Sequence, residues 1–281
     1  MKRIMTIFNY LNIDFVEYAL ISIVFLSIIS PIVGNFLLLR RLSFFGAGLS
    51  HLAFAGIALG ILFKKDPIIV SALFTSILGS LSYYIYIRTF IPPDIFISIL
   101  FSFGLAFGMF VLGLTKTLGS NIFSYLFGSI LLINKKDILL LFLFFILILI
   151  YFLTFRKEII VTLLSRDISK VFFKNIDKIE LGFIFLCSLF VVFTIKLVGI
   201  ILSTGFIVIP ALFGLLFGKN FYMSIILGII FSFFCSTLGL FLSLYLNVPP
   251  GGTILLTMIF VLQIFYLLNY LSNRFFKKIL R

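Results

Sequence analysis

His51 is the only histidine in the 281-residue chain, and it stands inside a long apolar run rather than in a polar loop. Imidazole is a ready ligand for zinc and other first-row transition metals. An ionisable group within a membrane is costly to bury and is a functional candidate by default. Two readings follow. His51, with the adjacent Ser50 hydroxyl, forms a transient coordination point for a divalent cation, or it is a neutral histidine hydrogen-bonded to a neighbouring helix. One imidazole cannot hold a metal alone, and every Asp and Glu lies in a loop or near the end of an apolar run. That argues against a resident ion or a hydrolytic centre, which needs three or four ligands. The two cysteines, Cys187 and Cys235, both fall inside apolar runs and read as small buried hydrophobes, not as ligands or a disulfide.

The segment that carries His51 is unlike its neighbours. Gly46, Ala47, Gly48, Ser50, Ala53, Ala55, Gly56, Ala58 and Gly60 line it with small side chains. Small residues let helix backbones approach closely, so this helix is expected at the centre of a bundle or along a narrow path.

The elements that must position it are membrane helices. Hydrophobic residues make up 63% of the chain and charged ones only 11%, against about a quarter charged in soluble domains. The charges are bunched, and the apolar runs between bunches are of about 20 residues, the length of a spanning helix. They are apolar on all sides and twice as long as barrel strands. The expected fold is therefore all-α: a single polytopic bundle over residues 1–281. About nine spans are read, at 16–39, 43–63, 67–88, 94–115, 137–155, 179–196, 198–217, 221–246 and 252–272. A net charge of +13 reads as basic loops at a lipid surface, not as nucleic-acid binding. With the C-terminus inside, 14 of the 22 Lys and Arg residues fall on the cytoplasmic side, which makes that orientation, with the N-terminus outside, the expected one. Lys196 is expected to snorkel to the outer interface. Met1–Tyr10 lacks the apolar core and cleavage site of a signal peptide.

Two loops are long. The outer one, about 116–136, is apolar enough for a short re-entrant or interfacial helix. The inner one, about 156–178, sets Ile168, Val171, Phe172 and Ile176 at helical spacing against Arg166, Asp167, Lys170, Lys174 and Asp177. Such a helix either lies on the membrane surface or docks in a partner's groove.

Four segments now suggest a family. Gly46-x-x-Leu-Ser50-His51 followed by Gly56-Ile-Ala-Leu-Gly60 resembles the signature of the ABC-type zinc/manganese/iron permeases. So do Tyr125-Leu-Phe-Gly128, Val198-Gly199-x-x-Leu202 through Pro210-Ala211, and Pro249-Pro-Gly251-Gly-Thr-Ile254, in family order along the chain. The resemblance implies a type II ABC importer-like permease of a bacterial or archaeal cell membrane. It implies a homodimer with a central path, ABC ATPase subunits that use the ATP, an extracytoplasmic metal-binding protein, and no tightly bound cofactor. It assigns Arg166, Asp167, Val171 and Phe172 to the coupling loop, and Gly56, Gly60, Pro210, Pro249 and Gly251 to structural or gating roles. Val171 and Asn175 depart from the family's usual Ala and Gly. The family's Asp four residues before the histidine is here Ala47, so half of the expected site is missing. Two imidazoles without that carboxylate favour zinc over manganese.

The alternative within transport is an ABC permease for a metal chelate such as a siderophore or corrinoid. A membrane-embedded enzyme or a proton-coupled carrier lacks the intramembrane carboxylate its chemistry requires. Gly214 to Asn220 resembles a phosphate loop but has the wrong spacing and no terminal Ser or Thr.

Overall fold

The computed structural model describes residues 14–89, 91–115, 121–129 and 133–279. The segment read for a signal peptide, and parts of the outer loop at 116–120 and 130–132, lie outside these. Among the described residues the helices are α1 (Asp14–Leu39), α2 (Phe45–Leu62), α3 (Pro67–Tyr86), α4 (Pro93–Thr115), α5 (Asn121–Phe127), α6 (Lys135–Thr154), α7 (Arg156–Leu164), α8 (Arg166–Phe172), α9 (Ile176–Val198), α10 (Ser203–Phe217), α11 (Phe221–Leu246) and α12 (Pro250–Ile279). Polar residues between apolar runs start several of them. Asp66 accepts from the Ile68 and Ile69 amides ahead of Pro67, Asn134 and Asp137 form a capping box, and Asn220 accepts from the Met223 amide.

Eight of these helices are long and apolar enough to span a membrane. The expected span at 198–217 differs. The chain leaves the helix at Gly199, where φ is 93°, and resumes it only at Ser203, so α10 has 15 residues. Its length of about 22 Å falls short of the roughly 30 Å hydrocarbon core, and the non-helical residues 199–202 must make up the difference. The last span also starts earlier than expected. Asn247 closes α11 in a left-handed conformation, and Pro250 sits at the first position of α12 with Gly251 and Gly252 already helical. The break thus lies before Pro250.

Helices α1, α2 and α9 form the buried centre, while α6 and α12 lie at the rim. Small residues let α2 press against its neighbours. A Cβ at Gly56 would come 2.5 Å from Ser71 Cα of α3, and one at Gly60 2.6 Å from Pro67 Cα. Ser71 Oγ also donates to the Ala53 carbonyl across the same contact. Pro210 removes an amide from α10, which leaves the carbonyl of Phe206 without its helical partner. Ser30 of α1 donates to that carbonyl at 2.6 Å, so the neighbouring helix supplies the missing bond. Cys187 and Cys235 are buried and unbonded to each other. The Gly214–Asn220 stretch is simply the end of α10 and the cap of α11.

Candidate functional site

His51 lies midway along α2 on the side that faces α4. Its ring meets the Phe101 ring at a centroid distance of 4.0 Å, tilted by 58°. The side chain is half-buried, and Nδ1 is buried without a hydrogen-bond partner among the described residues. The contact is set by Gly104, one turn beyond Phe101. A Cβ there would stand 2.5 Å from the carbonyl carbon of His51 and 2.6 Å from the Leu52 amide nitrogen, so only glycine lets α4 lie on the backbone of α2 at this level. Gly104 and Gly108 form a small-x-x-x-small pair. That signal is present in the sequence beside the better-marked α2.

Phe101 also lines a cavity of about 420 Å³ together with Arg41, Ser43, Phe44, Ala47, Asp94, Ile97, Ser98 and Ser102. Ala47 stands in its wall, one helical turn before His51, with no carboxylate to offer; Asp94, at the first turn of α4, is the one acid in this lining. Ser50 turns elsewhere. Its hydroxyl donates to the Gly46 carbonyl at 2.7 Å and lies 2.5 Å from the hydroxyl of Ser203, at the start of α10. The structure therefore separates the two residues that the sequence pairs: His51 faces α4, and Ser50 fastens α2 to α10. Among the described residues no three His, Cys, Asp or Glu side chains come close enough together to hold a metal ion.

The three remaining motifs meet at one place. Ile200 donates its amide to the Tyr125 carbonyl, Ile201 to that of Leu126, and Ser129 to that of Lys196. The end of α5 is thus laid against the break between α9 and α10. Gly128, with φ of 78°, and Gly199 approach so closely that a Cβ on either would strike the other's backbone. A Cβ at Gly251 would meet the carbonyls of Val198 and Phe127. Residues about 50 to 120 positions apart in sequence form one backbone knot at this end of the bundle. Lys196 lies nearby, bound to Asp137 at 2.6 Å.

The opposite end carries the arginines. The loop read as one amphipathic stretch divides into α7 and α8, and Ile176 belongs to α9, where it is buried. The apolar residues of α8 are unpartnered: Val171 is 83% exposed, Phe172 72%, and Ile168 about half, with Asp167 exposed beside them. Arg166 does not join this face. It turns inward, where Nε donates to Glu180 at 2.9 Å and Nη2 to Asp177 at 2.6 Å. A carboxylate buried as deeply as Glu180, 2% exposed, has to be neutralised, and this draws Arg166 off the surface. Glu180 carries no distinguishing mark in the sequence, because it sits in a run of alternating charges.

Comparison with known proteins bears on the chain as a whole. Residues 12–268 match the model of the ABC 3 transport family. The chain is 28% identical to the high-affinity zinc uptake system membrane protein ZnuB of Haemophilus influenzae, over 88% of this chain and 95% of that one. It is 28% identical to the manganese import system permease protein ScaB of Streptococcus gordonii, over 90% and 92%. Among solved structures it resembles PsaBC from Streptococcus pneumoniae in complex with Fab, with a TM-score of 0.82 and 28% identity over 93% and 94% of the two chains. A metal-chelate type ABC transporter in an inward-facing conformation shares the fold, at a TM-score of 0.67 and 17% identity.

Proposed function

Because the chain belongs to the ABC 3 transport family, with a match over residues 12–268, we propose that it is the membrane-spanning permease of an ATP-driven importer of divalent transition-metal ions. The observation that carries this reading is the lone imidazole of His51, half-exposed on a small-residue helix, with Nδ1 unpartnered among the described residues. One imidazole per chain is half a site. A second copy related by a two-fold axis brings a second His51 to a shared path, and two neutral imidazoles bind weakly enough to release their ion. With Ala47 in place of an acid, such a site suits zinc better than manganese.

In this reading the arginine-bearing end faces the cytoplasm, as the distribution of Lys and Arg favours. The exposed Ile168, Val171 and Phe172 of α8, with Asp167, dock on separate ATP-hydrolysing subunits. An extracytoplasmic metal-binding protein delivers its ion at the far end, where Gly128, Gly199 and Gly251 knot α5, α9 and α12 together. Ser50 acts by holding α2 in place through Ser203 rather than as a ligand. The test is His51→Ala in the complex with its ATPase. Zinc uptake into proteoliposomes is expected to be lost while the subunits still co-purify. Uptake at the wild-type rate makes His51 a packing residue and removes the basis of this reading.

A further inference from the structure

One ion cluster at the arginine-bearing end ties together five helices. Glu180 of α9 contacts Arg40 at 3.0 Å and Arg166 at 2.9 Å. Arg166, the first residue of α8, also donates to the Ile87 carbonyl at the end of α3. Arg40, just past the end of α1, donates to Tyr83 of α3 at 3.2 Å and to the Thr162 carbonyl of α7 at 3.3 Å. Asp177 joins Arg166 and lies 3.9 Å from Arg88.

Two features make this more than a fastening. The cluster starts at α8, whose other side is the exposed apolar face of Val171 and Phe172. It ends at Arg40, which opens the tight turn into α2. That turn is stiff: Arg41 takes φ of 59°, the Leu42 amide bonds the Leu37 carbonyl at 2.7 Å, and Leu42 is buried. A displacement of α8 therefore pulls on Arg166 and Glu180, and through Arg40 on the turn that leads into the helix of His51. Buried charge pairs suit such a task, because parting one of them leaves an uncompensated buried charge; the helices move together instead.

We propose that Glu180 is a positioning residue for transport, the link through which α8, moved by its ATPase partner, shifts α2 and its His51. The proposal rests on the permease reading above. It names a residue that touches neither the metal path nor the partner.

The experiment compares the wild-type complex with its E180Q and E180D variants in proteoliposomes, reading zinc taken up per ATP hydrolysed, with subunit co-purification as the assembly control. E180Q is expected to assemble and hydrolyse ATP but to lower zinc moved per ATP on the order of ten-fold, with E180D recovering part of the loss. A residue with a merely structural role would lower assembly and both rates together and leave the ratio unchanged. If E180Q does not assemble, R40K serves in its place, since lysine keeps the charge but cannot bridge Glu180, Tyr83 and Thr162 at once. A wild-type ratio in E180Q, or in R40K where that variant is used, overturns the proposal. Failure of the wild-type complex to couple zinc uptake to ATP overturns the permease reading instead, so the two failures are distinct.

Discussion

Gly104→Ala probes the contact on which the geometry of His51 depends. The added Cβ would lie 2.5 Å from the His51 carbonyl carbon, 2.6 Å from the Leu52 nitrogen and 2.8 Å from the His51 oxygen. Ordinary contact begins at 3.4 Å, so the substitution is too close by roughly 0.9 Å. All three atoms are helical backbone, and none can rotate away. Helix α4 must therefore retreat from α2 at this level and carry Phe101 off the imidazole. Overpacking of this kind costs about 1–3 kcal/mol, and a gap of 0.5–1 Å forfeits roughly a quarter to a half of the local dispersion energy. Replacing glycine in a helix returns about 0.5–1 kcal/mol, so the net loss is about 0–2.5 kcal/mol. Gly113→Ala, on the same helix with nothing within 4 Å of the added atom, keeps the gain without the clash. Thermal unfolding of the purified protein in detergent should therefore rank Gly113→Ala above the parent and Gly104→Ala below Gly113→Ala. Zinc uptake should fall in Gly104→Ala alone. Equal stability and equal uptake in the two variants would refute the reasoning, because the helices would then have room that the backbone contact denies.

Three further substitutions test separate parts of the structure. Ser30→Ala leaves the Phe206 carbonyl opposite Pro210 without a donor and should destabilise the protein by about 1–3 kcal/mol, read as a lower thermal midpoint in detergent; an unchanged midpoint would mean that α10 tolerates the open carbonyl. Ala47→Asp restores an acid one turn before His51, in the wall of the Phe101 cavity, and competition uptake assays should move preference from zinc toward manganese. Gly199→Ala combines an unfavourable φ of 93° with a clash on Gly128 and Leu126. It should loosen α5 from the α9–α10 break, seen as faster amide exchange at Ile200 and Ile201, whose amides bond the carbonyls of Tyr125 and Leu126.

Much of this architecture is legible from residue type alone. Apolar runs of membrane length fix the helices, because a backbone in lipid must satisfy its own hydrogen bonds, and the bunched charges fix where the runs stop. His51 is conspicuous as the sole histidine, and the small residues around it mark α2 as the closely packed helix. The boundary at Gly199 is less legible. The run from Val198 to Phe217 is apolar throughout, and composition does not register a break made by one positive φ and by two carbonyls and an amide contributed by a different segment.

What the sequence determined by itself is thus the kind and approximate placement of the long helices, the position of the one imidazole, and the absence of an acid at Ala47. These depend on each residue's own chemistry and its near neighbours. The tertiary structure alone decided which groups face one another. It gave His51 to Phe101 and Gly104, tied Ser50 to Ser203, brought three distant motifs into one knot, and turned Arg166 inward to Glu180. Each of these follows from packing between helices far apart in the chain, where a methyl group's width or a buried charge settles which surfaces can meet.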